Sequence, residues 1–169
     1  MDIAQKEKDI SAVRKLSFLF IEDYFKNNYY QIFKSTFKPA EWASEQEKLF
    51  LHYSREKYFS RSAANLLKTE NETERLMNYA NKYLAIDVLE EYYNVFASDY
   101  PEKTLELFRK VLVSYADRNT GRSSYQHILA FLKKMSRIKG GKKAASDLVA
   151  EFRIEYRNRK AMMEILGKF

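Results

Sequence analysis

No cysteine occurs in the 169 residues. Disulfides, thiolate metal sites, iron–sulfur clusters and cysteine nucleophiles are therefore excluded. Only four glycines and two prolines are present, too few for many tight hairpins. Two histidines, His52 and His127, are the whole supply of imidazole. Neither has a second histidine at ligand spacing, nor a glutamate three residues before it, so the helical Glu-x-x-His metal pattern is missing. No apolar run approaches the roughly 20 residues that span a bilayer. Met1 is followed by Asp2, Gln5, Lys6, Glu7 and Lys8, which does not read as a secretory signal. These features predict a cytoplasmic chain with no bound metal or cofactor and no membrane partner. High Lys, Asn, Tyr and Phe usage matches coding from an AT-rich bacterial genome.

What is present is helical. Hydrophobic residues make up 46% and charged residues 31% of the chain, a globular balance. Apolar positions recur at three- and four-residue steps almost throughout, without a convincing period-2 run. The first stripe holds Ile10, Val13, Leu16, Leu19, Phe20, Tyr24 and Phe25, continuing through Tyr29, Ile32, Phe33 and Phe37. Asn27 and Asn28 are poor helix formers and mark a candidate break. Pro39 and Pro101 each suit the opening turn of a helix. Asn71 with Glu74, and Ser123 with Gln126, have the spacing of capping boxes. Asp117 to Ser124 reads as a loop, and Gly140-Gly141 as a helix stop. The pattern predicts six to nine helices and no sheet, with Leu89, Phe108, Leu129, Leu132, Leu148 and Phe152 in the core. Residues 1–70 form an aromatic-rich section and 71–169 a region of helix pairs.

Those pairs repeat weakly. A shift of 40 places Val88 on Ile128, Leu89 on Leu129, Tyr92 on Leu132, Val95 on Met135, Leu105 on Ala145, Phe108 on Leu148 and Leu112 on Phe152. The fold class is all-α. Its antiparallel helix pairs stack either as a short tetratricopeptide-like solenoid or as an irregular bundle.

Little in the sequence carries catalytic chemistry. Gly140-Gly141-Lys142-Lys143 lacks the phosphate-loop spacing, and no Gly-x-Ser-x-Gly elbow exists. The carboxylates Glu22-Asp23, Glu90-Glu91, Glu70, Glu72 and Glu74 read as solvated faces. The expectation is a non-catalytic chain.

Charge and aromatics point to binding instead. The chain carries 30 basic and 23 acidic residues, for a net charge of +7. Residues 118–169 hold 13 Lys or Arg against 4 Asp or Glu, while the rest is slightly acidic. Lys133, Lys134 and Arg137, with Lys142 and Lys143, form one basic cluster. Arg153, Arg157, Arg159 and Lys160 form another. Such a face can dock an acidic protein surface or a phosphate backbone, or simply solvate a helix. In Tyr29-Tyr30 and Tyr92-Tyr93, adjacent rings cannot both face one core. Tyr30 and Tyr93 are therefore candidates for the margin of a partner-binding groove. The leading expectation is a protein-interaction module; the alternative is a nucleic-acid-binding accessory domain using the basic third.

The C-terminal part also resembles a known family. Tyr125-x-x-Ile128-Leu129-x-x-Leu132-x-x-Met135 is followed by a glycine-bearing turn. A helix then runs into Phe152-Arg153-x-x-Tyr156-Arg157-Asn158-Arg159-Lys160-Ala161 and ends in Ile165-Leu166. This is similar to the helical C-terminal region of bacterial SWIM zinc-finger proteins. The likeness covers residues 71–169 and is weaker over 1–70. The finger itself needs a Cys-x-Cys and a Cys-x-His pair, so no zinc ligand carries over. The resemblance implies an interaction role, as the separated tail of such a protein or a relative without the finger.

Overall fold

The computed structural model describes residues 9–55 and 57–169. Among them are ten α-helices and no strand, which makes the fold all-α. In chain order these are α1 (Ile10–Ile21), α2 (Asn27–Ser35), α3 (Pro39–Tyr53), α4 (Arg61–Thr69) and α5 (Thr73–Lys82). They continue with α6 (Ile86–Asp99), α7 (Pro101–Arg118), α8 (Arg122–Met135), α9 (Gly141–Glu155) and α10 (Lys160–Leu166). The count exceeds the predicted six to nine because the first apolar stripe is broken between Ile21 and Asn27, just ahead of the two asparagines. The chain divides into two compact units, Met1–Tyr79 and Ala80–Phe169, within α5.

In the first unit, local signals set the helix ends. Asp9 caps α1 by accepting from the Ala12 N–H at 3.0 Å, and Ser60 caps α4 through Ala63. Pro39 opens α3, and the Lys38 N–H donates to the Glu41 carboxylate. Asn71 departs from the sequence reading. It takes a left-handed conformation with φ 58° just past α4. Its own N–H reaches the Lys68 carbonyl, and the next N–H, of Glu72, reaches Leu67. That is a Schellman stop of the preceding helix, not a cap of the following one.

Aromatics fill this unit. Phe33 lies 5.7 Å from Phe18, 4.9 Å from Phe37 and 6.2 Å from Trp42, and Tyr30 meets Trp42 edge-on at 5.6 Å. Not all of the first stripe is inside, however. Helix α1 buries Val13, Ser17 and Ile21, leaving Leu19 and Phe20 exposed, as is Tyr24 just beyond its end. The apolar residues of this segment wrap more than the one face that its neighbour covers.

In the second unit, α6 packs on α7, α7 on α8, and α8 on both α9 and α10. Helix α9 also touches α7 and α10. Pro101 stops α6 and opens α7 in one step, as its fixed φ and missing N–H dictate. Leu89, Phe108, Leu129, Leu132, Leu148 and Phe152 are all buried, each no more than 9% exposed. The predicted loop from Asp117 shrinks to three residues, because α7 runs to Arg118 and α8 starts at Arg122. Ser123 thus lies inside the first turn of α8, whose N-cap is Gly121, and the expected box with Gln126 does not form.

The two central glycines act together, but not as a simple stop. Helix α8 already ends at Met135. Gly140 has φ +77°, and Gly141 begins α9 so close to α8 that a Cβ there would lie 1.9 Å from the Met135 carbonyl oxygen. The turn therefore needs glycine at 140 for its hand and at 141 for the approach.

Candidate interaction surface

The basic residues expected on one face separate into three kinds. Lys134 is half-buried, pairs with Glu90 of α6, and lies 4.8 Å above the Phe131 ring and 6.0 Å from that of Tyr93. It ties α8 to α6. Arg153 and Arg159 work on helix ends. Arg153 donates from Nη2 to the carbonyl of Leu166, the last residue of α10, at 3.1 Å. Arg159 donates from Nη1 to the Ala116 carbonyl at 2.6 Å and lies over the Tyr156 ring at 4.3 Å. Both satisfy C-terminal carbonyls that a helix leaves without partners.

The third kind is exposed. Lys133, Arg137, Lys142, Lys143, Arg157 and Lys160 make no ion pair among the described residues. They do not form one continuous patch. Lys133, Arg137, Lys142 and Lys143 surround the α8–α9 turn, whereas Arg157 and Lys160 lie beyond the far end of α9. A helix of 15 residues separates the groups by about 20 Å.

The tyrosine expectation needs one correction. Tyr30 is fully buried, so it is not a surface group; Tyr29 is the half-buried neighbour, stacked on Phe20 at 4.3 Å. Tyr93 is half-buried, edge-on to Phe108 at 5.5 Å, while Tyr92 is in the core.

What holds Tyr30 inside is Glu70, a residue the sequence did not single out from the other acidic positions. Its carboxylate accepts from Tyr30 at 2.8 Å, from Lys34 at 2.7 and 2.8 Å, and from Trp42 Nε1 at 3.2 Å. Its side chain is 11% exposed. Burial alone would raise the Glu70 pKa. The hydrogen bonds from Lys34, Tyr30 and Trp42 outweigh it and hold the carboxyl below its ordinary range. Burial first, and then the bond to Glu70, push the Tyr30 hydroxyl pKa up. The cluster joins α2, α3 and the end of α4. All of its donors are spent on one acceptor, so it supports the fold.

Both histidines are held structurally. His52 Nε2 is 2.9 Å from the Glu22 carbonyl oxygen, and His127 Nδ1 is 3.4 Å from the Tyr115 hydroxyl. Among the described residues, no group of three or more His, Cys, Asp or Glu side chains is close enough to hold a metal ion. No helix among them is long and apolar enough to cross a membrane.

The concave surfaces are open and mixed in character. A cavity of about 710 Å³ lies between the α6–α7 and α8–α9 turns, lined by Asp99, Tyr100, Pro101, Glu102, Lys103, Leu105, Lys139 and Gly140. A second, of about 410 Å³, lies between α7 and α9, with Arg109, Val113, Asp117, Phe152 and Ile154 on its walls. Polar links cross the same space. Arg109 reaches Glu151, and the Tyr156 hydroxyl donates to Asp117. Burial, then this bond to Asp117, raises the Tyr156 pKa to about 12.

No family model matches the chain, and no curated protein or solved structure matches it either.

Proposed function

We propose that this chain is a non-catalytic, intracellular protein-interaction module whose second unit is a short stack of helix pairs. The observation that carries the reading is a series of long-range ion pairs at nearly constant separation. Glu90 and Lys134 join α6 to α8, Arg109 and Glu151 join α7 to α9, and Arg122 and Glu164 join α8 to α10. Each links a helix to the one two elements later. Links of this kind are what a stack of helix pairs would make, each unit meeting its neighbours. The 40-residue register supports it in part: Val88, Ile128, Leu89, Leu129, Tyr92, Leu132, Phe108, Leu148, Leu112 and Phe152 are buried, as are Met135 and Ala145, while their counterparts Val95 and Leu105 are only half-buried. Stacked pairs present extended surfaces suited to partners. The likeness of the last helices to the tail of SWIM zinc-finger proteins belongs to the same proposal, which would make this chain such a tail or a finger-less relative.

The nucleic-acid alternative is less well supported. The exposed cations fall into two separated groups, and three of the basic residues are taken up by intramolecular contacts. A photo-activatable cross-linker at Arg157, installed in the full chain in its native host, tests the reading. Cross-links to a discrete protein that disappear when the label is moved to the buried position Leu148 support it. Cross-links to nucleic acid overturn it.

A further inference from the structure

We infer that the basic α8–α9 turn, with the cavity beside it, binds a linear segment of a protein partner in which an acidic run is followed by an apolar side chain. The inference rests on the protein-interaction reading above and gives it a place and a chemistry.

The turn concentrates charge of one sign. Residues 133–143 hold six Lys or Arg and no Asp or Glu. Lys134 is spent on Glu90. Lys133, Arg137, Lys139, Lys142 and Lys143 are exposed, and among the described residues none of them makes an ion pair or a side-chain hydrogen bond. Five like charges on one turn repel one another and attract an anion. A surface that only solvates mixes both signs, as the α6–α7 turn does with Asp99, Glu102 and Lys103.

The cavity supplies what a charged turn alone lacks. Lys139 and Gly140 line it from the α8–α9 turn, Asp99 and Glu102 from the α6–α7 turn, and Pro101 and Leu105 give it an apolar wall. Leu105 is half-buried, although its counterpart forty residues on, Ala145, is buried. It lies against the glycines: a Cβ on Gly140 would stand 3.8 Å from Leu105 Cδ1. The apolar wall and the free cations therefore adjoin, with no side chain at position 140 between them.

The occupant follows from the two signs. Carboxylates meet the free cations of the turn, where Arg137 can grip one in paired bonds. A leucine-sized side chain placed next covers Leu105. Asp99 and Glu102 repel negative charge that reaches across the cavity, so the acidic run stops at the turn and a basic residue beyond the apolar one is favoured. Nucleic acid fits less well, because its charge is uniform along the backbone. A stacking ring is lacking too. No aromatic lies among the five free cations, and the Tyr100 ring already faces the Lys103 ammonium at 5.2 Å.

The test measures fluorescence anisotropy with the full chain and three synthetic peptides. One carries an acidic run, a leucine and a lysine pair in that order. The second has serine for leucine, and the third has the first one's composition with its charges interleaved. The first should bind at least about tenfold tighter than either control, and more weakly as salt rises. Lys139→Glu with Lys142→Glu should weaken it at least about tenfold. Glutamate at 142 suits the first turn of a helix, so this variant keeps its fold. Arg118→Glu with Lys168→Glu, the same charge change at exposed sites elsewhere in the unit, should alter affinity by less than about twofold. Equal binding of the three peptides, no binding, an equal loss in the two double variants, or displacement of the peptide by short duplex DNA would each overturn the assignment. The Arg157 cross-linking experiment tests the module reading by itself. Cross-links to protein with no preference among the peptides would leave that reading standing without this site, whereas cross-links to nucleic acid would overturn both.

Discussion

Arg122, at the first position of α8, and Glu164, in α10, meet in a two-pronged ion pair, Nη1 to Oε1 at 2.9 Å and Nη2 to Oε2 at 2.7 Å. The hydrogen bonds and the opposite charge raise the Arg122 pKa and lower that of Glu164. Both residues are exposed, so the pair contributes register more than stability. Arg109 and Glu151 span the same 42 residues one helix earlier.

A double-mutant cycle on Arg109 and Glu151 reads that register. Urea unfolding of Arg109→Ala, Glu151→Ala and the double variant should give a coupling of about 0.2–1 kcal/mol, falling as salt rises. Zero coupling at low salt would show that α7 and α9 are not held in this register.

The core of the second unit has a sharper contrast. Phe152 is 2% exposed, and Ile154, two residues on, is 76% exposed. Phe152→Ala should cost about 3–5 kcal/mol, whereas Ile154→Ala should change stability by less than about 0.5 kcal/mol. Similar costs for both would mean that α9 is rotated from the orientation described.

Glu70 gives the first unit a pH dependence. Its pKa is lower folded than unfolded. The stabilisation is therefore present above the ordinary carboxylate value near 4.5 and is lost as pH falls through the depressed value. Glu70→Ala should destabilise by about 1–3 kcal/mol at neutral pH, since it leaves the Tyr30 hydroxyl and the Trp42 N–H without their acceptor, whereas Lys34, 37% exposed, can turn to water. The variant should also show a flatter stability curve below pH 4.5. An unchanged acid limb would remove Glu70 from its role as the hub.

The α8–α9 turn leaves little room. Gly141→Ala would put a methyl against the Met135 carbonyl and should cost at least about 1–3 kcal/mol. Thermal melting checks this, and an unaffected transition would contradict the close approach.

These elements show how far sequence reading reaches. Pro39 and Pro101 mark helix starts because proline's fixed φ and missing N–H are local properties. The buried set Leu89, Leu129, Leu148 and Phe152 is legible because helical periodicity fixes a face. Tyr30 and Tyr29 differ by only 100° around α2, and the choice between them is made by Glu70, 40 residues away. Asn71 suits both a cap and a left-handed stop, and the Glu72-to-Leu67 bond decides it. Lys134, Arg153 and Arg159 look like binding residues in sequence. Their partners are a carboxylate 44 residues away and carbonyls at other helix ends, which no spacing rule reveals.

The most direct measurement is a titration of duplex DNA with the full chain across a range of salt. An interaction module of the kind described should bind only weakly and without selectivity at physiological salt, in the range of about 10⁻⁴–10⁻⁶ M. A tight, sequence-selective complex would contradict the account. The contradiction would be complete if the log–log salt slope fell by about two, near 0.9 per lost phosphate contact, in the Arg153→Gln, Arg157→Gln variant.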